Sequence, residues 1–288
     1  MRFTSITTFL LLLFVGVNQV IAIEPVDTVL HDSTKFSIGN MVSIKSPMVE
    51  VSGGNTSFAY NNNTQFQSDL ALGVVLGFYS DKKVFRSEVR NTSQNGLYLT
   101  YVKSSDSADA KASVNSWRFG IQNSDIYTLP LNSTGSVGVE FATTQAPLSW
   151  FSQSFPALGA DSATAAQLQG RFDGVRFGES SKASIGLRVA NPVSISAGFE
   201  WSQAYERHLV WYWAMSSIIE NVADGVGAYF VSAVGKSSPL ASPIIHFIVR
   251  NGIAMGFKAL RKNQMNWPFS TAAPLNYYNY SISVSIRL

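Results

Sequence analysis

The chain has 288 residues, of which 46% are hydrophobic and only 14% are charged, and it contains no Cys. The charged fraction lies well below the roughly 25% of soluble globular domains, and the lack of Cys excludes thiolate chemistry and Cys-ligated metal. The net charge is +3, with Lys and Arg scattered along the chain, so no basic patch points to nucleic acid. The sequence also contains no metal-ligand cluster and no phosphate-binding loop, and we therefore expect no cofactor.

The amino terminus carries an export signal. Arg2 precedes an apolar run at residues 9–17, and small or compact residues follow at 20–22. The apolar run is about nine residues long, whereas a spanning helix needs roughly 20. The sequence therefore predicts a cleaved signal peptide over residues 1–22 and a mature domain over 23–288. Export of a chain without Cys favours a bacterial envelope over a eukaryotic secretory route.

Strict two-residue periodicity first appears in residues 66–80, which predicts a β-strand. One face carries large apolar side chains, and the other carries mostly small residues. A turn at residues 81–83 then leads to a segment in which charged residues alternate with Phe, Ser and Val. We expect the two segments to form an antiparallel hairpin with a charged ladder on its wet face. The apolar face of the first strand consists of Leu70, Leu72, Val74, Leu76 and Phe78.

The same alternation returns in four later segments, at residues 117–122, 136–141, 183–189 and 193–202. The last two flank a turn at 190–192 and form the clearest hairpin in the sequence. Residues 145–169 show no clear period, and they predict either a long external loop or a short helix folded into the mouth of a barrel.

Residues 205–263 interrupt the alternating pattern. We interpret 207–234 as a helix, because the segment is densely apolar and aromatic without a period of two. At residues 244–260 a hairpin turning at Asn251–Gly252 is favoured over an apolar helix. Residues 277–288 alternate again up to Leu288, and an apolar residue at the end of a final strand is typical of a closing barrel strand.

These features together resemble bacterial outer-membrane β-barrels as a class, and the resemblance is strongest at residues 66–90 and 182–203. Those two segments look like hairpins of small OmpA-like and surface-antigen-like barrels. The final Leu288 departs from the aromatic residue that usually ends such chains. The predicted fold is all-β, a single antiparallel transmembrane barrel of roughly 10 to 14 strands. The helical segment near 207–234 would fill its lumen or cap one end. A soluble exported β-sandwich is the rival fold.

The charged residues on the predicted inner faces are the candidate site. They would either pair into a network that plugs a narrow barrel or line a water-filled channel. The predicted lumen- or pore-lining set is Arg86, Glu88, Arg90, Arg118, Glu140, Arg188 and Glu200.

Three functions are compatible with the pattern. A channel or passive transporter for small solutes comes first, and a structural or surface-antigen barrel that acts through its loops comes second. The third is a lipid hydrolase built on His246 with Ser242 and Asn251, because Ser–His–Asn sets can activate a serine. We favour a protein without enzymatic activity.

The expected location is the Gram-negative outer membrane, with the lipid bilayer and the outer-membrane assembly machinery as partners.

Overall fold

The computed structural model describes residues 46–60, 64–65, 69–84, 88–103, 114–155 and 162–288. The predicted signal peptide at 1–22 lies outside the described residues. The strands are β1 (Ser46–Tyr60), β2 (Thr64–Gln65), β3 (Asp69–Lys83), β4 (Arg90–Lys103), β5 (Asn115–Pro130), β6 (Gly138–Ser154), β7 (Gly174–Ala190), β8 (Val193–Ala204) and β9 (Leu275–Arg287). The helices are α1 (Ser162–Phe172), α2 (Val210–Ser237) and α3 (Ser242–Arg261).

Eight long strands form one antiparallel sheet that closes on itself. Each long strand pairs with its neighbours in the chain, and β1 also pairs with β9, from Met48 opposite Arg287 to Ala59 opposite Asn276. The two-residue β2 pairs with the end of β1, so it only extends the β1–β3 hairpin. Closure satisfies the backbone hydrogen bonds that an edge strand would leave open. The predicted all-β antiparallel barrel is thus confirmed.

The predicted number of strands, 10 to 14, was too high. The eight long strands contain 12 to 17 residues each, longer than the roughly ten residues expected for a membrane-crossing strand. Residues 244–260, which as the predicted hairpin would have supplied two more strands, lie within a helix instead. Fewer but longer strands therefore account for the same length of chain.

The barrel wall is apolar outside and polar inside. Leu70, Leu72, Leu76 and Phe78 point outward, and each is 46–58% exposed. Successive side chains of a strand point to opposite faces, and the inward positions of the same wall carry Ser, Thr and charged residues. A soluble barrel has the opposite polarity. The closed backbone and the apolar exterior give the chain the architecture of a membrane-spanning β-barrel.

The two ends of the barrel differ in their connections. At one end, here called the terminal end, lie Ser46, Leu288 and short turns such as Asn191–Pro192. The other end, here called the loop end, carries the long connections, including α1 between β6 and β7. Outer-membrane barrels have this asymmetry, with short periplasmic turns and longer extracellular loops.

Helix α1 packs over the loop end of the lumen. Its Leu168 and Phe172 are buried in an apolar cluster with barrel residues such as Phe58, Phe151 and Tyr277. The ring of Tyr277 stacks on Phe151, with centroids 5.6 Å apart. Of the region 145–169, for which a long external loop or a short helix was predicted, residues 145–154 continue strand β6 instead, and the short helix folded into the mouth begins at Ser162.

Helix α2 confirms the predicted helical segment, whereas the predicted hairpin at 244–260 was wrong. Residues 242–261 form helix α3, and Asn251–Gly252 lies inside it. Its buried polar residues, His246, Arg250 and Lys258, recur at intervals of four or eight residues, as one helical face requires. Ile245, Phe247 and Val249 imitated a strand because apolar residues of α3 also pack against its neighbours: Phe247 contacts Phe141 of the wall, and Val249 lies next to Gly227 of α2.

The α2–α3 hairpin packs on the outer wall of the barrel, neither inside the lumen nor over its end. Ser180 bonds to the lumen residue Glu200, so the next residue in β7, Glu179, points outward. Lys258 of α3 donates to Glu179 at 2.6 Å, and Phe247 of α3 contacts Phe141. Among the described residues, no helix combines the length and the apolar character needed to cross a membrane.

Closure of the barrel can be tested by a disulfide, because the chain has no native Cys. Val51 of β1 and Val284 of β9 are directly paired. We expect the double variant Val51→Cys/Val284→Cys to form an intramolecular disulfide on mild oxidation, because paired Cα atoms lie about 4.5–5.5 Å apart. Electrophoretic mobility before and after reduction measures the product. The control is Val51→Cys/Phe119→Cys, which joins strands that are not neighbours. Equal cross-linking of both pairs would contradict the closed register.

Candidate functional site

The lumen contains three groups of ion-paired side chains along its axis. Near the terminal end, Glu140 accepts from Arg188 Nε at 2.8 Å and from Arg287 Nη1 at 2.9 Å. Arg188 also donates to Thr92 Oγ1 at 3.1 Å, and Thr92 in turn donates to Asp81. All of these side chains except Asp81 are buried. Two guanidinium groups on one carboxylate make a charge-assisted network that leaves little room for solvent.

The middle of the lumen is crossed by a Lys–Glu pair. Lys182 of β7 donates to Glu50 Oε1 of β1 at 3.1 Å and to Ser283 Oγ of β9 at 3.2 Å. The pair is largely buried, and both side chains are 16% exposed. It therefore bridges the lumen from one side of the barrel to the other.

The third group surrounds Glu200 near the loop end. Glu200 accepts from Arg118 Nη1 at 3.0 Å, from Ser202 at 2.6 Å, from Ser180 at 2.7 Å and from Asn279 at 3.1 Å. The guanidinium of Arg118 also lies 5.7 Å from the centre of the Tyr277 ring. Since Tyr277 belongs to the apolar cluster beneath α1, the ionic groups and the cluster form one continuous filling of the barrel.

The space left inside the barrel is small. Two cavities of about 40 and 30 Å³ lie along the lumen, and both are lined by Glu50, Lys182 and Thr144. A bound water needs about 10–15 Å³ of such space, so each cavity has room for a few water molecules. These two cavities therefore have the dimensions of hydrated gaps between packed side chains.

The predicted site residues have different positions in the structure. Arg118, Glu140, Arg188 and Glu200 lie on the lumen face and take part in the groups described above. Their role as pore-lining residues stays a prediction.

Of the other three predicted residues, two lie away from the lumen groups and one is outside the described residues. Arg90 begins β4 at the rim of the terminal end, where its guanidinium lies near Gly135 of the β5–β6 turn. Glu88 was wrongly placed on a lumen face. It is in the β3–β4 turn, where it is exposed and pairs with Lys83 at 3.4 Å, because β3 continues to Lys83 and moves the turn along the chain. Arg86 lies outside the described residues.

Besides Asp81 at the rim, which the sequence assigned to a turn, three charged lumen residues were missing from the predicted set. Lys182 and Arg287 continue the polar faces of strands that the alternation had already identified, so extending the same rule would have found them. Glu50 gave a weaker signal, because it precedes a segment rich in Gly, Asn and Ser that reads as a loop. Each of the three is a partner of another lumen charge.

A second buried ionic cluster lies between α3 and the outer wall. Glu179 accepts from Lys258 at 2.6 Å and from Arg261 at 2.7 Å, and Arg261 also pairs with Glu220 of α2 at 2.6 Å. Further along the hairpin, Arg250 pairs with Asp224 at 2.6 Å. These pairs hold the helices together and attach them to the wall.

The residues proposed for a hydrolase do not form a catalytic set. The His246 ring packs against Tyr127 with centroids 4.4 Å apart, between α3 and the wall. Asn251 donates to the Phe247 carbonyl at 2.9 Å and so does not orient the imidazole. Ser242 Oγ and His246 Nδ1 are both buried, and neither atom has a hydrogen-bond partner among the described residues. A serine is activated only when its base and the orienting group are in contact.

Metal binding has no support in the part of the chain that the structure describes. No group of three or more His, Asp or Glu side chains is close enough there to hold an ion. The charged groups of the lumen are instead neutralised by one another.

Comparisons with known proteins give matches to structure alone. No protein-family model and no curated protein sequence matches the chain. It is similar to the crystal structure of Neisserial surface protein A, with 11% identity and a TM-score of 0.37 over 84% of this chain and 97% of that one. It is also similar to the outer-membrane enzyme PagL, with 10% identity and a TM-score of 0.37 over 84% and 99%. A third is Ail, the attachment invasion locus protein of Yersinia pestis, with 5% identity and a TM-score of 0.33 over 84% and 98%. These identities are too low to transfer an activity or a ligand.

The ionic network predicts that removing a charge from a buried ion pair lowers the free energy of unfolding far more than removing a charge from an exposed pair. We expect Glu140→Gln to destabilise the barrel by about 3–5 kcal/mol, because Arg188 and Arg287 then lose their buried counter-charge. The free energy of unfolding by urea in lipid vesicles measures the effect. Glu88→Gln is the matched control at an exposed pair, and its effect should not exceed about 1 kcal/mol. Equal effects of the two substitutions would contradict the network as described.

Proposed function

We propose that the protein is an integral outer-membrane barrel with a closed lumen, and that it acts through the surfaces it presents rather than as a channel. The observation that carries this proposal is the filling of the lumen by three ion-paired groups and an apolar cluster. A solute path along the axis would have to break these contacts. Passive transport of small solutes remains the competing function, because ionic residues also line known pores.

The energetics favour the closed lumen. Removing one partner of a buried ion pair costs about 3–5 kcal/mol, so a state with even one separated pair would be populated at roughly 1% or less. A solute passing through the barrel would meet three such groups in succession. The network is therefore better suited to stabilising a narrow barrel, and contacts with other molecules are left to the loop end and the outer wall.

The proposal includes maturation and assembly. Residues 1–22 would be removed on export, and residues 23–288 would form the mature protein. The assembly machinery would recognise strand β9, whose outward positions Tyr280, Ile282 and Ile286 are exposed, together with the exposed Leu288 that follows it. The lipid bilayer would then surround the apolar wall.

Planar-bilayer recording tests the closed lumen. We expect the purified protein to produce no single-channel steps, because three ion-paired groups and an apolar cluster occupy the described lumen. The variants Arg118→Ala and Arg90→Ala report on the interior and on the rim, and neither should open a stable conductance. Ohmic steps in the unmodified protein, with an ion selectivity that changes in Arg118→Ala, would support the channel and exclude a closed barrel.

A lipid hydrolysis assay tests the alternative enzymatic function. We expect no release of fatty acid from phospholipid vesicles by the unmodified protein, because Ser242 Oγ and His246 Nδ1 are not hydrogen-bonded and Asn251 donates to the Phe247 carbonyl. His246→Ala is the informative variant. Hydrolysis that this substitution abolishes, while the barrel remains folded, would establish the enzyme.

A further inference from the structure

The α2–α3 hairpin has the opposite polarity to a helix pair on the surface of a soluble protein. Within α3, whose residues are all described, the exposed positions carry Ile, Gly, Ala and Leu and no charged side chain. Between Trp211 and Phe230 of α2, also fully described, the exposed positions carry one amide, Asn221, and no charge. We call the exposed side of the hairpin its outer face. It includes Met215, Ile218, Val222 and Val226 of α2 and Ile244 and Ile248 of α3, each 40–67% exposed.

The charged residues of the hairpin are all directed inward along this stretch. Glu220 and Asp224 of α2 pair with Arg261 and Arg250 of α3, and Lys258 pairs with Glu179 of the wall. Amphipathic helices in water place their charges outward. Here the charges are kept away from the outer face, as expected for helices whose outer face meets an apolar medium.

The barrel wall is adapted to this hairpin. Thr143, Glu179, Ser181 and Gln203 occupy outward positions on β6, β7 and β8, and all four are buried. Gln203 also donates to the Lys258 carbonyl at 3.1 Å. On the parts of the wall that the hairpin does not cover, outward positions such as Leu76 and Leu187 are apolar and exposed. The apolar surface thus continues from the uncovered wall onto the outer face.

The length of α2 and the residues at its ends match the thickness of a bilayer, although α2 is not apolar enough to cross a membrane as a separate helix. Trp211 and Tyr212 lie in its first turn and Lys236 lies in its last. At 1.5 Å per residue, Trp211 and Lys236 are about 37 Å apart along the axis, slightly more than the hydrocarbon core of about 30 Å. Trp, Tyr and Lys are the residues that rest at the boundary between headgroups and acyl chains.

We propose that the α2–α3 hairpin lies against the barrel within the bilayer, and that its outer face contacts lipid acyl chains. This inference rests on the proposed membrane-spanning barrel and adds a helical element to its lipid-facing surface. Over part of β6, β7 and β8, the hairpin takes the place that lipid has elsewhere on the wall, and it covers the outward polar residues of these strands.

Single nitroxide labels test the inference, since the chain has no native Cys. The labelled variants are Val226→Cys and Ile248→Cys on the outer face. Leu76→Cys on the uncovered wall is the lipid control, and Ser133→Cys in the exposed β5–β6 turn is the water control. Full-length protein in phosphatidylcholine vesicles is exposed to oxygen, which concentrates in the bilayer, and to a water-soluble nickel chelate. We expect the ratio of oxygen collisions to nickel collisions to be the same for the labels at positions 226 and 248 as for the label at position 76. All three ratios should be several-fold higher than the ratio at position 133.

The controls separate the two proposals. A nickel-accessible label at 226 and 248, together with a lipid-like label at 76, overturns the hairpin inference and leaves the barrel in the membrane. A nickel-accessible label at 76 overturns the membrane-spanning barrel as well. Labels at 226 and 248 that neither reagent reaches would indicate that a protein, such as a second copy, covers the outer face, and would also overturn the inference.

Discussion

Pairing between β1 and β9 turns the sheet into a closed wall, and this closure separates the side chains into two environments. Because the side chains of a strand alternate, each strand supplies one row to the lumen and one to the exterior. Backbone N–H and C=O groups bond to neighbouring strands around the whole wall, which permits an apolar exterior. The polar interior, the apolar stripe of β3 and the docking of α3 all follow from the division that this closure creates.

The number of strands determines what the interior can contain. An eight-stranded barrel is just wide enough to be filled by side chains, so charges from strands on different sides come within bonding distance. Glu140 of β6 meets Arg287 of β9, and Lys182 of β7 meets Glu50 of β1. In a barrel of 10 to 14 strands the same residues would line a wider space. The overestimate of strand number therefore also explains why the sequence favoured a channel.

The sequence predicted those features that depend on a strand's own periodicity. The strands within residues 183–202 and 277–288, their inner faces and the helix at 207–234 could be identified because each pattern is local. Partners could not be identified, since alternation places Arg118 on the lumen face without indicating that Glu200, 82 residues later, faces it. Helix α3 was missed for a related reason. A helix with polar residues toward a wall and apolar residues away from it has no hydrophobic stripe directed at a core, and that stripe is what reveals most helices.

A local exception to the alternation carries information that the regular strands do not. In β7 the outward row is apolar at Ile185 and Leu187 but contains a carboxylate at Glu179. An unpaired charge on the lipid-facing side of a barrel is costly, so such a residue requires a covering element that supplies the opposite charge. Lys258 and Arg261 supply it here from a helix that follows β7 by some 70 residues. A charged outward position in an otherwise regular barrel strand therefore marks the place where another part of the chain packs on the wall.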